Sequence, residues 1–211
     1  MMNLIKKYNI EQNSNSQQSF EPLLFIPGLW VNGKYYWLQD CTEKVIYDEE
    51  MTIKVKHEQI HSKIRVSSIF VSNHGNQMKE IKVLAMHHFS NIGKDHLTFV
   101  SPLDNRIFHH ANKQVYLVNA HYQRVGLTEY TAMPLWNVYT DQIWSSLQTG
   151  TLKYQPLAKD PAASVFALKM TIQPHETGKM NTWTINGTNK NELITMEQAL
   201  MKNTLAFPFE K

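Results

Sequence analysis

The string His57-Glu58-Gln59-Ile60-His61 has the H-E-x-x-H form. On a helix that spacing sets two imidazoles one turn apart on one face, with the carboxylate beside a metal-bound water. The chemistry requires the helix. Upstream, Met51, Ile53, Val55 and His57 alternate with Thr52, Lys54 and Lys56, and a strand pattern resumes over 63–70, which leaves room for a polar connection and not for three helical turns. In this strand or loop context His57, Glu58 and His61 are assigned to no metal, and no cofactor is expected. The pairs His87-His88 and His109-His110 meet a related obstacle, because successive side chains of a strand point to opposite faces and do not readily chelate one ion. His87 and His109 stay as candidate binding or acid–base residues. The competing reading is of histidines satisfied by hydrogen bonds at strand ends.

The remaining candidates are rings. Trp136, Tyr139, Trp144 and Tyr154 lie close together in a region of weak strand patterning, and such side chains can stack on the apolar face of a sugar while their N–H or O–H stays wet. Rings at this density also serve as core packing. Other chemistries lack support: there is no G-x-S-x-G elbow, the eight glycines form no phosphate loop, and Glu49-Glu50 reads as a surface pair at a strand start without a second carboxylate partner.

The elements that must position these residues are mostly strands, expected over 63–73, 79–89, 96–101 and 114–122, with turns at His74-Gly75-Asn76 and Pro102-Leu103-Asp104-Asn105. Val83-Leu84-Ala85-Met86 is apolar on both parities, the mark of a strand covered on both faces. Asn32-Gly33 between apolar runs is a hairpin signal. Behind Asp141 the spacing of Ile143, Trp144 and Leu147 predicts a short helix. Further strands are expected over 165–172 and 182–185. Asn189-x-x-Glu192 resembles a capping box, and Leu193, Met196 and Leu200 form an apolar stripe for a helix reaching Asn203. The polar run ahead of Phe20 predicts a flexible tail over 1–19, followed by a sandwich over 20–190 and a C-terminal helix and tail over 191–211, with Phe207 and Phe209 tucked onto the sandwich.

Of 211 residues 42% are hydrophobic, enough for a sizeable core, and 18% are charged, below the usual share of about 25%. The net charge of +3 is scattered, with no basic stripe interleaved with aromatics, so nucleic acid is not an expected partner. The single Cys41 excludes an internal disulfide and fits a reducing compartment. Lys6-Lys7 has no apolar run behind it, so neither a secretory signal nor a membrane span is expected, and the location read from this is cytoplasmic.

Several phrases, in order, resemble the N-terminal super-sandwich domain of bacterial glucoamylase-type and glucodextranase-type glycoside hydrolases. They are Val71-Ser72-Asn73 leading to Lys79-Glu80-Ile81-Lys82-Val83 and His87-His88-Phe89; Phe99-Val100-Ser101-Pro102 through Phe108-His109-His110 to Val115-Tyr116-Leu117; then Gly150-Thr151-Leu152, Pro156-Leu157-Ala158, Ala163-Ser164-Val165 and Trp183-Thr184-Ile185-Asn186-Gly187. The resemblance covers most of 29–203. It implies an all-β, large two-sheet antiparallel super-sandwich of galactose mutarotase-like architecture with a C-terminal helix. In that family the acid and base lie in a following helical barrel; with Lys211 as the last residue, the expectation is a protein without it. Around 144–149, where the family implies acidic residues, this chain has Ser145, Ser146, Gln148 and Thr149.

Three functions stay open. One is a non-catalytic super-sandwich that binds carbohydrate or a separately encoded catalytic or other protein partner. Another is a mutarotase-like or epimerase-like enzyme using His87 or His109 with a carboxylate. The third is a structural or assembly protein with no small ligand.

Overall fold

The computed structural model describes residues 23–90, 96–103, 105–123, 125–159 and 161–202. The expected flexible tail at 1–19 and the terminal rings Phe207 and Phe209 lie outside the described residues. In chain order the strands are β1 (Leu24–Val31), β2 (Lys34–Trp37), β3 (Glu43–Ile46), β4 (Met51–His61), β5 (Ile64–Asn73), β6 (Lys79–His88), β7 (Leu97–Ser101) and β8 (Arg106–Ala111). They continue with β9 (Gln114–His121), β10 (Glu129–Pro134), β11 (Trp144–Ser146), β12 (Thr151–Leu152), β13 (Leu157–Lys159), β14 (Ala162–Ile172) and β15 (Thr177–Gly187), and the helix α1 (Lys190–Lys202) follows. Every pairing among them is antiparallel. A five-stranded sheet, β10-β14-β6-β1-β2, faces an eight-stranded one, β13-β7-β8-β9-β15-β5-β4-β3. The molecule is therefore the two-sheet antiparallel super-sandwich, with its C-terminal helix.

Parity sorts the core into layers. Odd residues of β6 (Ile81, Val83, Ala85) meet Leu29 and Val31 of β1 and Ile53, Val71 and Val118 of the facing sheet. Even residues (Leu84, Met86) point away from that core into a second layer. This layer is built by residues 135–152, which lay Leu135, Val138, Ile143, Trp144 and Leu152 on the outer face of the five-stranded sheet. Polar ties hold it down. The Trp30 indole donates to the Leu147 carbonyl at 2.8 Å, and the Lys82 ammonium reaches the Gly150 carbonyl at 2.8 Å and the Glu129 carboxylate at 2.7 Å. Gly150 has a φ of +61° and any Cβ there would collide with the Trp30 indole, so this turn requires glycine.

The Asn32-Gly33 turn joins β1 and β2 with positive φ at both residues, 51° and 76°, as its sequence requires. The short helix expected behind Asp141 is instead a 3₁₀ turn, Asp141–Ile143, followed by strand β11. Thr140, not Asp141, caps it by accepting from the Gln142 amide at 3.2 Å. Extended backbone from Trp144 then lets Ser145 donate to the carbonyls of Thr151 and Leu152, closing the β11–β12 pair. Glu49 is also unlike its expected surface role. It is buried, accepts from the Asn32 amide at 2.7 Å and faces Lys79 at 3.7 Å, which ties the first hairpin to the turn that precedes β4.

The outer face of the eight-stranded sheet is roofed in part by α1. Its N-cap forms, with the return bond of the capping box displaced by one residue: Asn189 Oδ1 accepts from the Glu192 amide at 2.9 Å, while the Glu192 carboxylate accepts from the Thr188 amide at 3.1 Å and from the Lys63 ammonium at 2.6 Å. The stripe of Leu193 and Leu200, flanked by Met196, covers Ile64, Val66, Phe108, Leu117, Trp183 and Ile185. It is spent on the sandwich itself. Among these apolar contacts sits Glu197, only 2% exposed. Its carboxylate accepts from the Trp183 indole at 3.0 Å, from the Asn119 amide at 2.8 Å and from the Arg106 guanidinium.

Removing one member of such a buried set strands the others without partners. Glu197→Ala is expected to cost about 3–5 kcal/mol in urea unfolding, and Glu197→Gln, which keeps a carbonyl for Trp183 or Asn119, less. A loss below about 1 kcal/mol for the alanine variant would show that the clamp does not hold the helix.

Candidate functional site

The chain crosses from one sheet to the other between β2 and β3. The Leu38 amide donates to the Pro27 carbonyl at 2.9 Å, the Val55 amide donates to the Thr42 carbonyl at 2.8 Å, and Asp40 turns the link with a φ of 54°. Beside this crossing lies a groove of 910 Å³. Its apolar part is Leu24, Phe25, Ile26, Pro27, Leu38 and Val55; its polar part is Gln39, Asp40, Cys41, Thr42, Glu43 and His57, with His88 and Tyr139 completing the lining. Tyr139 is 43% exposed, so its ring is offered to solvent.

The groove rests on a chain of ring contacts. Phe25 receives His57 edge-on at a centroid distance of 5.8 Å and lies 5.1 Å from His87, which in turn stacks on Phe166 at 6.0 Å. His57 Nδ1 is hydrogen-bonded to Ser67 Oγ at 2.8 Å. Partial desolvation at the groove edge, with Arg65 nearby as a second cause, lowers the His57 pKa below the ordinary histidine value.

Of the residues singled out from the sequence, Tyr139 lines the groove and His87 lies beneath its Phe25 floor. Trp144 is buried in the outer layer. Trp136, 63% exposed, stands outside the groove lining, as does Tyr154, whose ring meets Tyr130 at 6.2 Å. The H-E-x-x-H residues do not converge. His57, Glu58 and His61 follow one another along β4, where residues four apart stand roughly 13 Å apart. Among the described residues no group of three or more His, Cys, Asp or Glu is placed to hold a metal ion. Gln39, Asp40 and Thr42 were not singled out, since a polar connection after a strand carries no signal beyond that of a loop, and Phe25 reads as one more apolar residue of its strand.

A second polar cluster sits inside the sandwich. His109 Nε2 is hydrogen-bonded to Ser164 Oγ at 2.8 Å, which joins β8 of the large sheet to β14 of the small one through the core. Its Nδ1 shares Thr98 Oγ1, at 2.9 Å, with His96 Nε2, at 3.1 Å, and the two imidazoles stack at 5.5 Å. Among the described residues His87 Nδ1 and His96 Nδ1, both buried, have no hydrogen-bond partner. Desolvation, helped by the neighbouring histidines, drives the pKa of His87 down to about 3 and of His96 to about 4, and holds that of His109 well below the ordinary value. At neutral pH all three are uncharged. With His87 and His109 at 1% and 0% exposure, neither can exchange a proton with a ligand in the groove.

No protein-family model matches the sequence, and no curated protein matches it. Among solved structures the chain is similar to a polysaccharide lyase, at 9% identity and a TM-score of 0.47 over 83% of this chain and 27% of the lyase. It is also similar to a protein named as a kojibiose phosphorylase from the human microbiome, at 10% identity and a TM-score of 0.40 over 90% of this chain and 26% of that one. The chain thus spans about a quarter of the length of either. Neither likeness assigns it to a family. Among the described residues no helix is long and apolar enough to cross a membrane.

The buried histidines set the acid limit of the fold. Their folded pKa values lie below the unfolded value, so the stability they permit is complete above about pH 6.5 and is lost as the pH falls toward the folded values. The expected slope is about 1.4 kcal/mol per pH unit for each histidine that takes up a proton only on unfolding. Urea titrations from neutrality to acid should show this slope, and His87→Leu should flatten it by one histidine's share. Parallel profiles for the two proteins would remove His87 from the account.

Proposed function

We propose that the sandwich is a carbohydrate-binding module that performs no chemistry on its ligand and delivers or holds a glycan for a catalytic activity carried elsewhere. The observation that carries this reading is Tyr139, a solvent-facing ring on a groove lined by the polar residues Gln39, Asp40, Thr42, Glu43 and His57 and by the apolar residues Phe25, Ile26 and Pro27. A pyranose has an apolar face and a rim of hydroxyls, and needs that combination of a ring to stack on and side chains that accept or donate hydrogen bonds. The floor is rigid before any ligand arrives, because Phe25 is wedged between His57 and His87, so little ordering entropy opposes binding. An epimerase would need His87 or His109 at the ligand, and burial argues against that.

The test is isothermal titration with a panel of neutral gluco- and galacto-oligosaccharides. Wild type is expected to bind at least one, Tyr139→Ala to weaken that binding about tenfold, and Trp136→Ala, outside the groove, to leave it unchanged. A flat response of wild type to the whole panel would sink the proposal.

A further inference from the structure

His57 is held from two directions. On β4 it follows Val55 on the side that faces the five-stranded sheet, but where β4 has run past the packed interior, so its ring meets the edge of the groove and stays exposed. From β1, Phe25 fixes the ring plane; from β5, the cross-strand partner Ser67 occupies Nδ1. No partner of Nε2 is found among the described residues, so it is the ring nitrogen left for a ligand.

The charged and titratable groups around this ring are Arg65 from β5, Lys56 and Glu58 beside it on β4, Asp40, Cys41 and Glu43 from the β2–β3 crossing, His88 from β6 and Tyr139. Glu43 is engaged with Lys54 at 2.8 Å. Arg65 is the charge that bears on the imidazole, and it opposes protonation.

We infer that His57 Nε2 is the point at which the groove reads a hydroxyl of its ligand, and that occupancy is coupled to the protonation of this ring, so the site fills at neutral pH and empties in acid. This rests on the binding function proposed above. A ligand seated over Nε2 removes water from a ring that already feels the Arg65 guanidinium, so an imidazolium there loses hydration next to a like charge. Binding therefore favours the neutral ring, and by linkage acidification weakens binding. Metal chelation, which H-E-x-x-H invites, is replaced by single-residue recognition.

The experiment titrates wild type and His57→Gln with the panel sugar that binds wild type most tightly, at about pH 7.5 and about pH 5, the lower value set further down than an ordinary histidine would need because burial and Arg65 depress this one. Near-ultraviolet circular dichroism at both pH values confirms that each protein is folded. At the higher pH the variant is expected to bind about tenfold more weakly, the share of one hydrogen bond. Wild type is expected to lose about threefold or more on acidification, while the variant binds equally at both pH values. If His57→Gln matches wild type near neutrality, or keeps the wild-type pH dependence, the inference is overturned and the binding function stands. If wild type binds no sugar at either pH, both fall.

Discussion

The whole arrangement depends on one strand that must be covered twice. β6 sends Val83 and Ala85 into the gap between the sheets and Leu84 and Met86 out of it, and all four are fully buried. A sheet with such a strand at its centre cannot leave one face on water, since the apolar area exposed would forgo the term that drives folding. Residues 135–152 have no regular form of their own beyond short turns and a two-strand ladder. They exist as a lid for that second face, and Trp30 and Lys82 reach up through it to carbonyls that a ladder would otherwise satisfy.

Between these apolar layers, polar residues act as cross-ties. Glu49 joins a hairpin to the opposite sheet, His109 and Ser164 join sheet to sheet, and Glu197 joins helix to sheet. Each is buried and each is satisfied by groups from elements distant in sequence. Dispersion and apolar burial are non-directional, so they leave the offset of one layer on another loosely specified; a hydrogen bond of fixed length does not. The groove inherits this definition, because its Phe25 floor stands on His87, the cross-strand neighbour of Ser164.

What could be read from the chain alone followed periodicity. The two-faced β6, the Asn32-Gly33 hairpin and the stripe of Leu193, Met196 and Leu200 were visible because burial repeats every two residues in a strand and about every 3.6 in a helix. The turn at Asp141 was not. Ile143 and Trp144 are adjacent and both buried, a demand set by the sheet beneath them and invisible in the local pattern. Glu49 looked exposed for the same reason, its partners Asn32 and Lys79 being far along the chain. The groove was the least legible part: Phe25, Asp40, His57, His88 and Tyr139 come from separate segments, and only Tyr139 has a residue type that draws attention to a ligand. His57 drew attention through the H-E-x-x-H string, whose chemistry needs a helix that strand β4 does not supply.

The order of strands also governs when the molecule can form. The five-stranded sheet sets β6 between β1, already made, and β14, which comes near the end of the chain. In the eight-stranded sheet β5 is flanked on one side by β15, and Ser72 meets Thr177 across 105 positions. A chain emerging from the ribosome can close the β1–β2 and β4–β5 hairpins early, but β5 must wait for β15 with a hydrogen-bonding edge unpaired. During synthesis β6 likewise carries its apolar faces without the lid at 135–152. The interval before β15 appears is thus when the nascent protein is most open to pairing with other chains, a vulnerability that the finished sandwich conceals.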